Sequence, residues 1–256
     1  MKITFLGTGT SMGVPVIGCD CEVCLSSNSK DKRLRTSIAI EVDGQNLVVD
    51  TGPDFRQQML NAGIVELAAV LFTHDHKDHT AGLDDVRAYN HRNKTDMHIY
   101  LTDATETSLK MAFPYAFPSE NKYPGAPDIV PHRIDAETPF EVNGLRIVPI
   151  EVIHGKMPVL GFRFGDFTYI TDAKYIVPKE LDKIRGSKVV VFNTLKKEEH
   201  WSHLTLEEAL ALVAELKPER AYFTHLSHRM GLHEVIQSEL PENVFLAYDG
   251  LEILVD

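Results

Sequence analysis

A short segment rich in metal-ligand side chains, THDHKDH at residues 73–79, constrains this chain more than any other feature. It follows directly on an apolar run that is typical of a buried strand. Side chains two positions apart in an extended segment point the same way, so His74 and His76 can bind one ion together. The chain must then bend, and the bend turns Asp78 and His79 toward a second point. Because histidine with carboxylate suits zinc, manganese or iron better than calcium or magnesium, the pattern predicts a transition-metal site rather than a polar surface turn.

Length and charge limit the other classes of protein that this chain can be. Its 256 residues can bury one sizeable core. The formal net charge is −11, and a field of that sign repels polyanions, which disfavours an extended nucleic-acid partner. The sequence contains neither an apolar run of about 18 residues nor a signal-peptide pattern. We therefore expect a cytoplasmic protein that makes no use of a membrane.

The three cysteines of the chain all fall between residues 19 and 24, at Cys19, Cys21 and Cys24. An odd number in a cytoplasmic chain argues against a disulfide framework. The spacing C-x-C-x-x-C brings three thiols close enough for one tetrahedral ion, which would need a fourth ligand from elsewhere. Three clustered free thiols without a metal are the alternative.

Turn residues between apolar runs divide the chain into short elements. Gly paired with Asp or Asn predicts four β-hairpins, with turns at residues 43–44, 143–144, 165–166 and 249–250. A capping box at Thr205 and Glu208 begins the clearest helix. Strands, a helix, a strand and a helix occur in this order twice, which favours an α/β (α+β) fold of two mixed β-sheets face to face with helices outside. Residues 113–127, rich in proline and aromatic side chains, are either a loop over the site or a plain connector.

Three more ligand-type residues stand at the ends of predicted strands: His154, Asp172 and His225. Strand-end loops are the usual place for active-site residues. A single such histidine would more often be a satisfied structural residue. Three such residues at strand ends, together with the 73–79 segment that also follows a strand, predict one shared site.

Taken together, these motifs resemble the metallo-β-lactamase-fold hydrolases, over essentially the whole chain. T-H-x-H-x-D-H, His154 and the Thr-Asp and Thr-His pairs ending at Asp172 and His225 carry the resemblance. Three further elements narrow the resemblance to the phosphodiesterase branch that includes tRNase Z: F-L-G-T-G at residues 5–9, D-T-G at residues 50–52 and the final Asp-Gly at residues 249–250. With its cysteine segment, the chain is similar to the PhnP-like phosphoribosyl cyclic phosphodiesterases. The resemblance implies a single domain, residues 1–256, with a four-layer αββα sandwich.

The resemblance also implies the cofactors: two divalent ions, zinc or manganese, in the active site, and one structural zinc. One active-site ion would be held by His74, His76 and His154, and the other by Asp78, His79 and His225, with Asp172 bridging the two. The structural zinc would be held by Cys19, Cys21, Cys24 and His228. Two such ions can share one water and lower its pKa, which gives a hydroxide aimed at phosphorus.

A departing alkoxide needs a proton, and the resemblance places His203 at the family's H-x-T histidine. His203 is therefore expected to act as general acid or as a hydrogen-bond donor in the transition state. His200 is the nearby competitor, and neither composition nor spacing separates the two. Asp50 is expected to orient the histidine segment by hydrogen bonds. The remaining histidines, at residues 91, 98, 132 and 233, carry no pattern and are expected in the surface or core.

The first hypothesis is therefore an enzyme, a dinuclear metal-dependent phosphodiesterase acting on a small, cyclic phosphodiester of a sugar or nucleotide. A tRNA 3′-processing endonuclease shares most of the motifs, but the acidic balance and the lack of a glycine- and basic-rich arm disfavour it. A thioester or lactam hydrolase would not be expected to carry F-L-G-T-G and the H-x-T histidine together. The alternative from another class is a non-catalytic metal-binding module, against which the complete ligand set argues. A homodimer is expected from the resemblance alone.

Overall fold

In the computed structural model, which describes residues 1–117 and 122–256, two seven-stranded β-sheets pack face to face. The strands of the first sheet are β1 (Lys2–Gly7), β2 (Ser37–Val42), β3 (Gln45–Val49), β4 (Ala69–Leu71), β5 (Met97–Leu101), β6 (Ile129–Arg133) and β14 (Glu252–Leu254). Those of the second are β7 (Phe140–Val142), β8 (Leu145–His154), β9 (Met157–Phe164), β10 (Phe167–Tyr169), β11 (Val189–Asn193), β12 (Arg220–Thr224) and β13 (Val244–Leu246). The spatial orders are β14-β1-β2-β3-β4-β5-β6 and β13-β12-β11-β10-β9-β8-β7.

The described helices are α1 (Glu22–Leu25), α2 (Phe55–Ala62), α3 (Lys77–Thr80), α4 (Arg87–Asn93), α5 (Asp103–Ala112), α6 (Pro178–Ile184), α7 (Leu206–Leu216) and α8 (His233–Glu239). Short 3-10 turns cover Ser29–Asp31, Leu83–Val86 and His228–Met230. None of these helices has the length and apolar character needed to cross a membrane.

Each sheet is antiparallel where hairpins build it and parallel where helices connect its strands. β1 to β3 and β7 to β10 are antiparallel, whereas β3 to β6 and β10 to β13 are parallel. Three of the predicted hairpins are confirmed. Asp43 and Asn143 both have positive φ, as do the glycines that follow them, which is the type I′ geometry that fits the twist of two paired strands.

The predicted closing hairpin around residues 249–250 is wrong. β13 pairs with β12 in the second sheet, whereas β14 pairs with β1 in the first, so the chain crosses between sheets here. The side chain of Asp249 explains why its turn does not pair the flanking strands. Its carboxylate accepts hydrogen bonds from the Leu34 amide at 2.6 Å and the Thr8 hydroxyl at 2.7 Å, which holds the turn against the first sheet.

Three apolar layers confirm the predicted four-layer αββα sandwich. Phe5, Phe162 and Phe164 lie in the core between the two sheets. A second core lies between the second sheet and α6 to α8, and a third between the first sheet and α2, α4 and α5. Each sheet is therefore covered on both faces, as sheets with parallel strands require.

The proline- and aromatic-rich stretch at residues 113–127 is only partly described. Ala116 and Phe117 pack into the core between the first sheet and its helices, and the Tyr115 hydroxyl donates a hydrogen bond to Asp84. Residues 118–121 lie outside the described residues, and with them the hypothesis of a loop over the site.

Candidate metal centre

The strand directions bring all of the predicted active-site ligands to one edge of the sandwich. β3 and β4 run parallel, so Asp50 and the ligand segment that follows β4 leave the first sheet side by side. In the second sheet, β8, β10 and β12 run in one direction and end near His154, Asp172 and His225. The carboxyl ends of parallel strands are where open sheets place their functional groups.

The first group of side chains consists of His74, His76 and His154. Each offers one ring nitrogen, and these atoms lie within 4.8 Å of one another. The ring of His154 donates a hydrogen bond from Nδ1 to the Ser202 carbonyl at 2.9 Å, so its Nε2 is the atom left for an ion. His76 is exposed, and the group therefore opens to solvent on that side.

The second group consists of Asp78, His79, Asp172 and His225, whose ligand atoms also lie within 4.8 Å of one another. Asp172 lies between the two groups. Its Oδ2 is 2.7 Å from Nε2 of His79 and 3.4 Å from Nε2 of His74, and its Oδ1 is 3.0 Å from Nε2 of His225. This position is the one that a carboxylate bridging two ions would occupy.

A chain of hydrogen bonds from the buried carboxylate of Asp50 orients two of the histidines. Asp50 accepts from the Thr73 amide and the Thr73 hydroxyl, both at 2.8 Å, and from Nδ1 of His79 at 2.7 Å. The Thr73 hydroxyl donates its single proton to Asp50. In its contact with Nδ1 of His74 at 2.9 Å, the hydroxyl oxygen must therefore be the acceptor. Both rings therefore turn Nε2 toward the centre, as carboxylates behind metal-binding histidines do.

The buried nitrogens of the centre fit a bound cation. Nε2 of His74, His79 and His225 is buried in each case, and none of the three finds a hydrogen-bond partner among the described residues. Nδ1 of His79 donates to Asp50, so the neutral form of this ring would present a lone pair on Nε2 to a carboxylate oxygen of Asp172 at 2.7 Å. Two acceptors in such contact need a cation or an added proton between them. Imidazole nitrogen with carboxylate oxygen is a donor set that divalent transition ions accept.

The pKa values of the centre show how strongly its charges depend on one another. Burial opposes protonation of His225, but Asp172 and Asp78 raise its pKa to about 9. Burial likewise opposes the charged form of Asp172, yet His225 and His79 hold the pKa of that carboxyl well below its usual value. The folded chain therefore keeps Asp172 ionised and balances it with positive charge.

The backbone is strained at three functional positions. Asp50, Asp172 and His225 have φ values of 67°, 56° and 56°, in a region that residues other than glycine rarely adopt. The surroundings hold this geometry after Asp172, where the buried side chain of Asn193 accepts from the Ala173 amide at 2.7 Å and donates to the Ala173 carbonyl at 3.0 Å. Such strain concentrates at functional sites. No motif in the sequence marks Asn193, and its position at the end of β11 was the available signal.

The D-T-G turn after β3 contacts the ligand segment directly. The Thr51 amide donates to the His79 carbonyl at 2.8 Å, and the Gly82 amide donates to the Thr51 carbonyl at 2.8 Å. A Cβ on Gly52 would overlap the Asp78 carbonyl, and one on Gly82 would overlap the Gly52 carbonyl. Both glycines are therefore required for the close approach that places Asp78.

Of the two candidate acids, His203 lies against the centre and His200 one ring further out. The His203 ring stacks on His225 with 4.8 Å between centroids and 23° between planes, and its Nδ1 is 3.4 Å from Oδ1 of Asp172. Burial and the neighbouring His225 lower the pKa of His203, so its ring is neutral. The His200 ring lies 5.2 Å from that of His203 and is less buried.

The predicted cysteine site is also assembled. Nδ1 of His228 lies 3.3, 3.4 and 3.5 Å from Sγ of Cys19, Cys21 and Cys24. All four ligand atoms lie within 4.8 Å of one another, in contact with an apolar cluster that includes Val14. Three sulfurs and one nitrogen around one point match a closed tetrahedral zinc site.

A family model described as the beta-lactamase superfamily domain matches residues 45–226. The chain belongs to this superfamily. A solved structure described as a new diphosphatase from the PhnP family is 37% identical in sequence, with a TM-score of 0.92 over 100% of this chain and 98% of that one. The short form of human tRNase Z shares the fold, with a TM-score of 0.71 at 17% identity over 100% of both chains. The predicted PhnP and tRNase Z branch is thus confirmed.

A curated relative of this superfamily member is longer than the chain. An octanoyltransferase of Porphyromonas gingivalis is 38% identical over 259 residues, which is 100% of this chain but 52% of the relative. The chain therefore spans about half the length of that protein.

Proposed function

We propose that this superfamily member is a dinuclear metal-dependent phosphodiesterase that hydrolyses a small phosphodiester, in particular a cyclic phosphate of a sugar or nucleotide. The observation that carries the proposal is the position of Asp172 between two groups of ligand atoms, with buried, unpartnered imidazole nitrogens on either side. A centre of this kind suits two ions close together, which is the arrangement used to displace an oxygen from phosphorus.

The proposed ligands follow the two groups. His74, His76 and His154 would hold one ion; Asp78, His79 and His225 would hold the other, and Asp172 would contact both. Zinc and manganese both accept this donor set. When bound, the two ions would supply Lewis acidity, both to an attacking water and to the phosphoryl oxygens. Cys19, Cys21, Cys24 and His228 would hold a separate structural zinc.

His203 is the proposed hydrogen-bond donor to the leaving oxygen. It lies against both groups, 4.6 Å from His154 and 4.8 Å from His225 between ring centroids. Because burial keeps its ring neutral, it carries one N–H, which can donate to a developing alkoxide and pass on its proton as that oxygen becomes basic. His200 is the alternative donor if the leaving group lies further from the centre.

A small-molecule substrate agrees with the charge of the chain. A net charge of −11 disfavours long polyanions but leaves local capture of one phosphate open, since bound cations would dominate the field at the centre. The name of the PhnP-family structure makes a phosphoanhydride the competing substrate class. The homodimer expected from the family remains part of this proposal.

A substrate panel tests the proposal. Zinc- or manganese-loaded protein is assayed on an activated phosphodiester, the matching monoester, a ribose cyclic phosphate, a dinucleoside diphosphate, a precursor tRNA and an octanoyl thioester. We expect turnover of the diester and the cyclic phosphate, with little on the monoester. Preference for the diphosphate would show that the bond cleaved is a phosphoanhydride and not a phosphoester. Cleavage of the tRNA or the thioester alone would overturn the proposal.

A further inference from the structure

The one tryptophan of the chain, Trp201, is 72% exposed beside the metal centre. It lies in the segment 200–203, between the two candidate acids in sequence. Leaving a large indole in water forgoes the free energy that its burial would provide. An exposed aromatic side chain at the rim of a functional site therefore calls for a ligand or a partner.

The indole is held in place from one side. It packs on the backbone of Gly155, the residue directly after the proposed ligand His154, and a Cβ at that position would overlap the ring. The ring centroid of Trp201 lies 6.3 Å from that of His200, with 33° between the planes. Gly155 therefore packs against the six-membered ring of the indole, and most of the side chain stays exposed.

Hydrogen bonds anchor the segment that carries the indole. The Ser202 carbonyl accepts from His154, and the Leu204 amide donates to the Ala173 carbonyl at 2.8 Å. The segment is thus fixed to the proposed ligand His154 and to Ala173, the residue that follows the proposed ligand Asp172. A contact made by Trp201 is therefore made at a fixed distance from the centre.

The charge that a ligand of this rim must carry follows from the proposed metal centre beside it. Lys174 and Lys196 add little, because they pair with Glu208 at 2.7 Å and with Glu198 at 3.9 Å. A molecule that contacts both the indole and a centre of bound cations has a planar ring and a negative charge close together. A nucleotide combines both, because its base stacks on aromatic faces and its phosphate is anionic.

We propose that Trp201 is a specificity-determining residue, whose exposed indole stacks on the base of a nucleotide with its phosphodiester at the metal centre. This inference rests on the proposed function and narrows its substrate class from a sugar or nucleotide to a small nucleotide. Gly155 supports the platform because only a residue without Cβ leaves room for the indole.

Intrinsic fluorescence tests the platform directly, because Trp201 is the source of all tryptophan emission. The metal-loaded protein is titrated with adenosine 3′-monophosphate and, separately, with ribose 5-phosphate. We expect saturable quenching by the nucleotide at concentrations where the sugar phosphate has little effect. Equal quenching by the nucleotide and the sugar phosphate would overturn the proposal. The proposal would also fail if light scattering shows a dimer and the tryptophan emission is typical of a buried indole.

Kinetics of variants supply the second readout. Trp201→Ala is expected to raise KM for adenosine 2′,3′-cyclic phosphate about 10- to 100-fold more than KM for a ribose cyclic phosphate, the range expected when one base loses its stacking partner. Trp201→Phe keeps an aromatic face and should recover much of the loss. Tyr123→Ala is the matched control, since Tyr123 is 48% exposed and packs on Tyr115 instead. Equal KM changes for the two substrates would contradict the stacking role.

The two proposals fail in different ways. Hydrolysis of phosphodiesters without selective quenching removes the platform and leaves the proposed function. Selective quenching without hydrolysis of any diester supports the platform and removes the proposed function. Quenching by a precursor tRNA at much lower concentrations than by the mononucleotide would overturn the small nucleotide as the occupant.

Discussion

At the scale of single residues, Asp172 lies between the two groups of proposed ligands, with His74 on one side and His79 and His225 on the other. Both of its oxygens face imidazole nitrogens, and it is held in a strained backbone conformation that Asn193 stabilises. Asp78 is further from the same nitrogens, 3.4 Å from Nε2 of His79 and 3.8 Å from Nε2 of His225. Removing this carboxylate therefore removes the charge that binds both groups together.

We expect Asp172→Ala to lose both active-site ions while keeping the zinc of the cysteine site, because His228 and the cysteines do not contact Asp172. Metal content after desalting should fall from about three equivalents per chain to about one. Asp182→Ala, an exposed change on α6, is the control and should keep all three. An Asp172→Ala protein with a full metal complement would exclude the bridging role.

His203→Ala separates chemistry from metal binding. Since His203 is not among the proposed ligands, the variant should keep its ions and lose about 10²- to 10⁴-fold in kcat on the preferred diester. His132→Ala, on β6, is the matched control. Turnover at the rate of the unmodified protein would remove His203 from the mechanism, and a large loss in His200→Ala instead would move the donor role there.

His233, which carries no sequence pattern, is buried, and its Nδ1 lies 3.2 Å from Nη2 of Arg33. Burial and the Arg33 charge lower the pKa of His233 to about 4. The unfolded chain therefore binds the proton more readily, so this residue favours folding above pH ~6.5 and loses that contribution as the pH falls toward 4. Relative to His233→Gln, the folded protein should lose about 2 kcal/mol of unfolding free energy between pH 7 and 4.5, measured by denaturant titration. A constant difference would contradict the shift.

At the scale of elements, the packing of the D-T-G turn against α3 positions Asp78 and His79. Gly82 has an ordinary φ of −91°, so an alanine there is opposed by contact alone, with the Gly52 carbonyl and the Cβ of Phe55. Both neighbours are rigid. A methyl group at this position must therefore push the ligand segment away from β3.

Gly82→Ala is expected to lower the unfolding free energy by about 1–3 kcal/mol, as overpacking does, and to weaken metal binding. Gly44→Ala is the control. Gly44 has a φ of 77° in an open hairpin turn, so the substitution costs about 1–2 kcal/mol of backbone strain but leaves the centre intact. Metal titrations of both variants distinguish the two effects. Equal metal affinity in both would show that the turn does not position the ligands.

The elements also show how far a sequence can be interpreted. Hairpins with Asp-Gly or Asn-Gly turns were predictable because those residues adopt positive φ locally. The separation of β13 and β14 into different sheets was not predictable, because an Asp-Gly pair between two apolar runs does not specify which sheet each strand joins. β6 was missed because Pro131 breaks its pattern, which an edge strand tolerates. The single-turn helices α1 and α3 are too short to leave a periodicity.

The site was more predictable than the fold around it. Ligand spacing and strand-end position, together with the family resemblance, gave every residue that the structure brings into the two groups and the cysteine site. The supporting residues Asn193 and Thr73 act through backbone geometry and hydrogen bonds, which no spacing encodes. Trp201 carries no motif, and its proposed role depends on the absence of a side chain at Gly155.

At the scale of the whole molecule, each group of proposed ligands joins the two sheets. His74, His76, Asp78 and His79 come from the first sheet, and His154, Asp172 and His225 come from the second. Ions bound at this edge would therefore link the two halves of the sandwich. Binding that requires the folded arrangement stabilises it by mass action.

Removal of the active-site ions is expected to lower the thermal unfolding midpoint by about 5–10 °C, the size of effect produced by a ligand at about 100 times its dissociation constant on a chain of this length. Calorimetry before and after dialysis against a chelator measures it, with zinc or manganese added back to restore the midpoint. Asp172→Ala provides the comparison, because it should respond less to the chelator. An unchanged midpoint in the unmodified protein would show that the ions do not bridge the sheets.

The pairing of β1 with β14 has a consequence for how the molecule is made. Lys2 lies opposite Leu254, so the first sheet cannot be completed until synthesis has reached residue 254. The ribosome reaches His225 roughly 7–30 s after it has added His79, the last residue of the ligand segment, at ordinary rates of translation. Contacts so distant in sequence also fold slowly. A nascent chain therefore presents its histidines and cysteines to the metals of the cell well before any of the three groups can close around an ion.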